Sequence, residues 1–425
     1  ASFRVGSQGG ARRLFVVGRA AEREGEAQQS EPPLPLSALL EGVGGVASEP
    51  CAAGILFCER LKRDGYAHLS LPRDAAQLLL QTEKEVQRWF AQTREEKMLS
   101  AGAYGPASGT LAGYASGRDR EQLELRLTVD GGHIYPRLLN LEQFDEGHCT
   151  GSDGGSEFAA LTVLLTRSMR MLDGWARAMI EHVACDLGVR PAFFADLLDP
   201  ALATDKDVMK VAKNGCALSA AEGTPSIRLD PDRAHEECPP LRHAGLRACR
   251  YRSDAEGCAH LADGRRVLCP EHNDVGLLTL DFEASEPGLQ AFRQSDRQWV
   301  SLEGGMDNAQ AVNFEDHDNA RLITVMVGDT LAAISGGLYT SCRHRVLAPM
   351  TQAPTGAGER IGLPFLFRCR GEAVIDTREE RRRTCSTGRA SALAELEATK
   401  VDDLPTADCP QALANYIAWR RKYCK

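Results

Sequence analysis

At 425 residues, with 43% hydrophobic and 26% charged residues, the chain has the apolar content for a large core and the balance of an ordinary globular protein. No stretch approaches the ~18 uninterrupted apolar residues of a membrane span, and a net charge of -9 gives no electrostatic footprint for a phosphate backbone. A membrane span and a nucleic-acid partner are therefore not expected. Fourteen cysteines without any C-x-x-C spacing read as reduced thiols of an intracellular protein, not as a disulfide framework.

In chain order, residues 1–50 read as a poorly ordered tail. Arg4, Arg12, Arg13 and Arg19 occur with no acid in the first twenty residues, which also resembles part of an organellar targeting segment. A cytoplasmic location is expected, with an organelle as the alternative. Cys51 to Asp64 reads as a helix, Tyr66 to Leu71 as a strand and Asp74 to Gln92 as a helix, opening an N-terminal helical and strand region over 51–200. Within it, Phe158, Leu161, Leu165, Met169, Leu172, Trp175, Met179 and Val183 recur at helical steps and predict one apolar face over Ser156 to Asp186. Arg190 to Asp199 reads as a shorter helix.

From Leu246 onward the pattern changes to short β-rich runs at 246–251, 275–282, 288–292, 298–302, 322–327, 341–347 and 360–368. Such runs suit a double-sheet jelly roll, whose mouth can hold a ligand. The expected fold class is α+β, a double-stranded β-helix (jelly roll) core over 201–390 with flanking N-terminal and C-terminal helices, the latter at 391–425. Residues 214–245 and 303–320 read as insertions, each a candidate lid. Cys238, Cys249, Cys258 and Cys269, with His243 and His260 among them, lack the tight pair of a zinc site and read as scattered thiols.

The chemistry concentrates in Pro270-Glu271-His272-Asn273-Asp274-Val275-Gly276 and in the later Ser341-Cys342-Arg343-His344-Arg345-Val346. His272 and Asp274, two apart on an extended segment, point to one side. His344 would complete the site from another strand. Two imidazoles and one carboxylate suit ferrous iron held on one face, with open positions opposite.

At these residues the sequence resembles the iron(II) and 2-oxoglutarate-dependent oxygenases of the isopenicillin N synthase-like family. His272 to Leu280 is similar to the family's H-T-D-x-G-x-L-T-L strand, with Asn273 in place of threonine. Gly288-Leu289-Gln290-Ala291-Phe292 and Gln298-Trp299-Val300-Ser301-Leu302 are similar to its G-L-Q-V and x-W-x-x-V strands, and Gly328-Asp329-Thr330-Leu331 to a G-D-x-L strand. Ser335 to Ser341 resembles S-N-G-x-Y-x-S, leading into His344-Arg345-Val346. Arg360-Ile361-Gly362-Leu363-Pro364-Phe365 resembles R-x-S-x-P-F, with Gly362 where the family has serine. Weaker likenesses lie at Gly65-Tyr66, Trp89 to Lys97 and Gly113-Tyr114.

The resemblance implies Fe(II) at His272, Asp274 and His344, and 2-oxoglutarate with its distal carboxylate held by Arg360, whose planar fork suits a carboxylate, and with Tyr251 as a second donor to the co-substrate. Phe365 and Phe367 are candidate pocket residues. Dioxygen would be the oxidant, ascorbate a candidate reductant, and a small molecule the substrate, hydroxylated or desaturated. Two alternatives stay open: an iron oxidase of the same fold that does not use 2-oxoglutarate, suggested by Gly362, and a non-catalytic jelly-roll binding protein.

Overall fold

The structure is a computed structural model that describes residues 31–41, 51–102, 105–107, 110–117, 120–129, 133–135, 139–140, 155–190, 192–201, 241–252, 259–284, 286–303, 321–348, 359–371, 373–375 and 411–412. The N-terminal half contains β1 (Leu34–Pro35), α1 (Leu36–Glu41), α2 (Ala52–Asp64), β2 (Tyr66–Ser70), α3 (Arg73–Phe90) and α4 (Arg94–Ala101). It continues with β3 (Gly105–Ala107), β4 (Thr110–Ser116), β5 (Arg120–Leu127), β6 (His133–Tyr135), β7 (Leu139–Asn140), α5 (Gly155–Leu187) and α6 (Ala192–Leu197). The C-terminal half contains β8 (Gly245–Tyr251), β9 (Val267–His272), β10 (Leu278–Phe282), β11 (Leu289–Arg293), β12 (Gln298–Ser301) and β13 (Leu322–Val327). A short α7 (Asp329–Ile334) precedes β14 (His344–Leu347), β15 (Arg360–Gly362), β16 (Pro364–Phe367), β17 (Val374–Ile375) and β18 (Gln411–Ala412).

From β8 to β16 the chain passes repeatedly between two sheets, broken only by the β11–β12 hairpin in the smaller sheet and by β15 and β16, which both lie in the larger one, as a double-stranded β-helix requires. The larger sheet runs β1-β2-β13-β10-β16-β8-β5-β4-β3, with β15 also on β8, and the smaller runs β12-β11-β14-β9. The outer face of the larger sheet is covered by helices. The predicted α5 stripe, Phe158 through Trp175 to Val183, shares one buried core with Leu278, Leu280, Val325, Phe365 and Phe367 of the larger sheet. Between the sheets lies a second, smaller apolar cluster, including Cys249, Tyr251, Leu268, Leu289, Ala291, Met326 and Val346.

Three expectations change. The tail expected over 1–50 is ordered at Leu34–Glu41, because Leu36, Leu39 and Leu40 give α1 an apolar face that is fully buried. The carbonyl of Leu39 accepts from His182 Nε2 on α5 at 2.9 Å. The G-D-x-L segment expected as a strand is instead the start of α7. At the C-terminus, Gln411–Ala412 forms a strand antiparallel to Val374–Ile375 where a helix is expected; the other expected C-terminal helical residues, most of both insertions, Cys238 and Cys258 lie outside the described residues. No helix among the described residues is long and apolar enough to cross a membrane.

Two backbones meet closely under the candidate site. Thr330 N donates to Gly276 O at 3.0 Å and Gly328 N to Leu277 O at 3.0 Å. A Cβ at Gly328 would lie 2.3 Å from Gly276 O, a contact that neither backbone can relieve without moving. Gly328→Ala is expected to lower stability by about 1–3 kcal/mol, the usual range for overpacking, and to weaken metal binding with it. Chemical denaturation and an iron titration on the same variant check this; unchanged values for both would refute the close-approach argument.

Candidate metal centre

His272 ends β9, and its direct partner across the antiparallel ladder is His344, which begins β14. Directly paired residues project from the same face, and the two rings lie 4.3 Å apart between centroids. Asp274 follows β9 by two residues. Its Oδ1 is 3.8 Å from His272 Nε2, and its Oδ2 is 3.8 Å from His344 Nε2. The three side chains offer donor atoms all within 4.8 Å of one another, the one such His/Cys/Asp/Glu group among the described residues.

The surroundings prepare each donor. His272 Nδ1 lies 2.9 Å from the Pro270 carbonyl and His344 Nδ1 lies 3.1 Å from the Cys342 carbonyl. A carbonyl can only accept, so each Nδ1 donates there and each Nε2 faces the shared space. Burial lowers the His272 imidazole, but Cys269, Asp274 and the Pro270 carbonyl push it up to about 9, so a metal would take its place at Nε2 by displacing a proton. Thr279 Oγ1 donates to Asp274 Oδ2 at 2.7 Å and orients that carboxylate. Burial works to raise the Asp274 carboxyl, but His344, His272, Thr279 and Arg247 together hold it down at about 2. Burial lowers His344, whose neutral form is the ligating one. His272 is the open side of the site, its side chain 41% exposed against 6% for His344.

Asp329, the first residue of α7, ties the two ligand segments together. It accepts from Asn273 Nδ2 at 3.1 Å and from Ser341 Oγ, while its own N–H donates to the Asp274 carbonyl at 2.9 Å. Asn273, the departure from threonine, therefore has a positioning contact here. Neither Thr279 nor Asp329 was among the expected site residues, although both stand inside the L-T-L and G-D-x-L blocks that signal them.

A cavity beside the three donors is lined by Arg120, Arg247, Cys249, Tyr251, Thr279, Asp281, Leu289, Met326, Pro364 and Leu366, among others. Tyr251 is on this wall. Phe365 and Phe367 are not: they are buried on the opposite face, in the helix-covered core. Strand alternation explains the correction, since Arg360, Gly362, Pro364 and Leu366 share one parity and the two phenylalanines the other. Arg360 stands behind the wall. Its Nη1 is 2.8 Å from Glu303 Oε2, with both side chains 2% exposed, and it also donates to the Glu286 carbonyl at 2.6 Å. Glu303, not foreseen from the sequence, further accepts backbone N–H bonds from Ala284, Gly288 and Leu289. Asp281, also on the wall, has an Oδ1 without a hydrogen-bond partner. Burial, with Glu303 and Asp274 nearby, pushes its carboxyl up to about 7 against the pull of Arg360 and the Leu363 N–H.

Residues 246–368 match the family model of the 2OG-Fe(II) oxygenase superfamily. No curated protein matches the sequence. Among solved structures, the chain is similar to a full-length Neurospora crassa protein in complex with alpha-KG, at 16% identity and TM-score 0.55, covering 92% of this chain and 95% of that one. It is similar to a 2OG-Fe(II) oxygenase family protein of Caulobacter crescentus, at 18% identity and TM-score 0.55, covering 94% and 100%. It is also similar to the rice dioxygenase for auxin oxidation, at 15% identity and TM-score 0.54, covering 93% and 96%. At these identities the likeness establishes the fold.

Removing one orienting contact is expected to loosen the site without dismantling it. Thr279→Val should weaken ferrous-ion affinity roughly tenfold to a hundredfold, the usual effect of losing a group that orients a ligand. Asp274→Ala should abolish tight binding. Anaerobic metal titration checks both; a Thr279→Val protein with unaltered affinity would show that this hydrogen bond does not orient Asp274.

Proposed function

We propose that this chain, whose residues 246–368 match the model of the 2OG-Fe(II) oxygenase superfamily, is an oxygenase of that superfamily that holds ferrous iron at His272 Nε2, His344 Nε2 and the Asp274 carboxylate and oxidises a small organic substrate. The observation that carries the assignment is the convergence of those three donors beside an inter-sheet cavity, with both Nδ1 atoms already committed to carbonyls. The donor set fits the ion: two neutral nitrogens and one anionic oxygen on one side leave positions free for other ligands. The order of motifs from His272 to Phe367 favours the isopenicillin N synthase-like branch.

Iron with 2-oxoglutarate and dioxygen supplies the oxidising power, by coupling decarboxylation of the co-substrate to C–H oxidation; ascorbate is a candidate reductant. The protein's part is positional. Thr279 and Asp329 fix Asp274 and its neighbours, and the backbone carbonyls of Pro270 and Cys342 fix the imidazoles. Tyr251, Pro364 and Leu366 shape a cavity that limits water around the reacting molecule. Hydroxylation is the expected outcome and desaturation the variant. Tyr251 and Arg360 are the residues offered for the distal carboxylate of the co-substrate.

One observation favours a second reading. Arg360 is already engaged by buried Glu303, and Gly362 contributes no hydroxyl, so an iron oxidase that does not use 2-oxoglutarate also suits this wall. Succinate formation separates the two. Iron-loaded protein given 2-oxoglutarate and dioxygen is expected to release succinate, with His344→Ala lower by about a hundredfold or more, since the metal accounts for several kcal/mol of such a barrier. Iron bound without succinate would select the second reading. The space at Gly362 offers a further check. A Cβ there would meet Tyr251 Cε2 at 3.6 Å and Arg360 Nη2 at 3.9 Å, both ordinary contacts. Gly362→Ser is therefore expected to fold and to lower the Kd for 2-oxoglutarate several-fold, about 1 kcal/mol for one added hydrogen bond; a weaker Kd would place the distal carboxylate elsewhere.

A further inference from the structure

Besides the three candidate ligands, the charge-bearing side chains on the cavity wall are Arg120, Arg247 and Asp281. Arg247 has a carboxylate, donating through Nε at 3.0 Å and Nη2 at 2.7 Å to Glu124 Oε2. That one carboxylate also serves Arg126, and Arg368 lies 3.7 Å from it. Arg120 differs. Among the described residues the one hydrogen bond of its side chain is from Nη1 to Cys269 Sγ, at 3.7 Å, and a thiol is a weak acceptor for a group that presents five donors. A partly buried guanidinium supplied only with a thiol is a poor use of a charge unless a ligand completes it.

Its place in the sheets says what the ligand meets. Arg120 on β5 pairs directly with Tyr251 on β8, and Arg360 on β15 pairs with the same Tyr251 from the other side. Three side chains thus project from one face in a row, with Tyr251 between two guanidiniums. The one at Arg360 is filled by Glu303. The one at Arg120 reaches the opposite sheet at Cys269, whose Sγ is 3.9 Å from His272 Nδ1. Its head therefore stands one side chain from the candidate metal, on the side of the more exposed imidazole.

We propose that Arg120 receives a carboxylate of the molecule held beside the metal. The inference rests on the assignment of His272, Asp274 and His344 as the metal site. Two molecules can bring that carboxylate, the organic substrate or the distal end of 2-oxoglutarate. The position of Arg120 at the start of β5, by the more exposed ligand, favours the substrate, which would then be an organic acid. A planar guanidinium takes such a group in two parallel hydrogen bonds.

The test compares wild type, Arg120→Gln and Arg120→Lys, the last retaining the charge. One arm measures the Kd of 2-oxoglutarate on the anaerobic ferrous protein. The other uses Mn(II)-loaded protein, with and without N-oxalylglycine, and reads the paramagnetic broadening of phenylacetate against its neutral counterpart phenylacetamide. The expected result is a preference for phenylacetate in wild type that falls about tenfold to a hundredfold in Arg120→Gln and is partly kept in Arg120→Lys, the scale of a charge-assisted hydrogen-bond pair. The Kd for 2-oxoglutarate should hold steady. A loss confined to 2-oxoglutarate binding would support the carboxylate receptor and name the co-substrate as its source. If neither arm moves in Arg120→Gln, or wild type shows no preference for the acid and the 2-oxoglutarate arm is unchanged, the proposal is overturned. Failure of Mn(II) or Fe(II) to bind wild type would instead strike the metal-site assignment.

Discussion

The site depends on one feature of strand register, the placement of His344 directly opposite His272 in the β9–β14 ladder. A slip of one residue would send one imidazole to the other face of the smaller sheet, and Asp274 would then have a single nitrogen to face. Several contacts hold that register. Asp329 bonds to Asn273 on one ligand segment and Ser341 on the other, and the tight approach of Gly276 and Gly328 fixes where α7 begins. The donors are thus positioned by backbone pairing and one carboxylate staple, so the protein spends little side-chain freedom on assembling them.

The larger sheet is registered by charge where the smaller is registered by the ligand pair. Glu121 stands opposite Arg250 and Glu124 opposite Arg247 across β5 and β8, and both pairs close as ion pairs. Opposite charges directly across a ladder favour that register over its neighbours. Buried ion pairs of this kind are a weak source of stability, because desolvation offsets their attraction, but breaking one leaves an uncompensated charge. The same holds for Arg360 with Glu303. What the charge register achieves for the site is placement: it sets Arg120, Tyr251 and Arg360 in one row and, among the described residues, leaves Arg120 as the guanidinium of that row without a carboxylate.

Much of this was legible in the sequence, for identifiable reasons. The α5 stripe has a clear helical period, and His272-x-Asp274 with His344 states its chemistry through residue type. The β8 to β16 runs are apolar enough to read as strands. The missed parts lack such signals. β5, Arg-Glu-Gln-Leu-Glu-Leu-Arg-Leu, carries its charges inward, where cross-strand partners satisfy them, so its composition hides a buried strand. Leu34 to Glu41 is too short for its period to stand out, and its burial comes from α5, far along the chain. Phe365 and Phe367 were aromatic and near Arg360, but parity puts them on the helix-covered face. Glu303 is invisible as a partner of Arg360 until the fold brings β12 and β15 together.

The most direct test of the central assignment is optical. Ferrous iron is added to the wild-type protein and to His272→Ala without oxygen, followed by 2-oxoglutarate, and the visible region is watched for the charge-transfer absorption of the chelated co-substrate. A band that develops with 2-oxoglutarate in wild type and is lost in His272→Ala is the expected result. Iron retained by wild type with no band, or an equal band in His272→Ala, would contradict it.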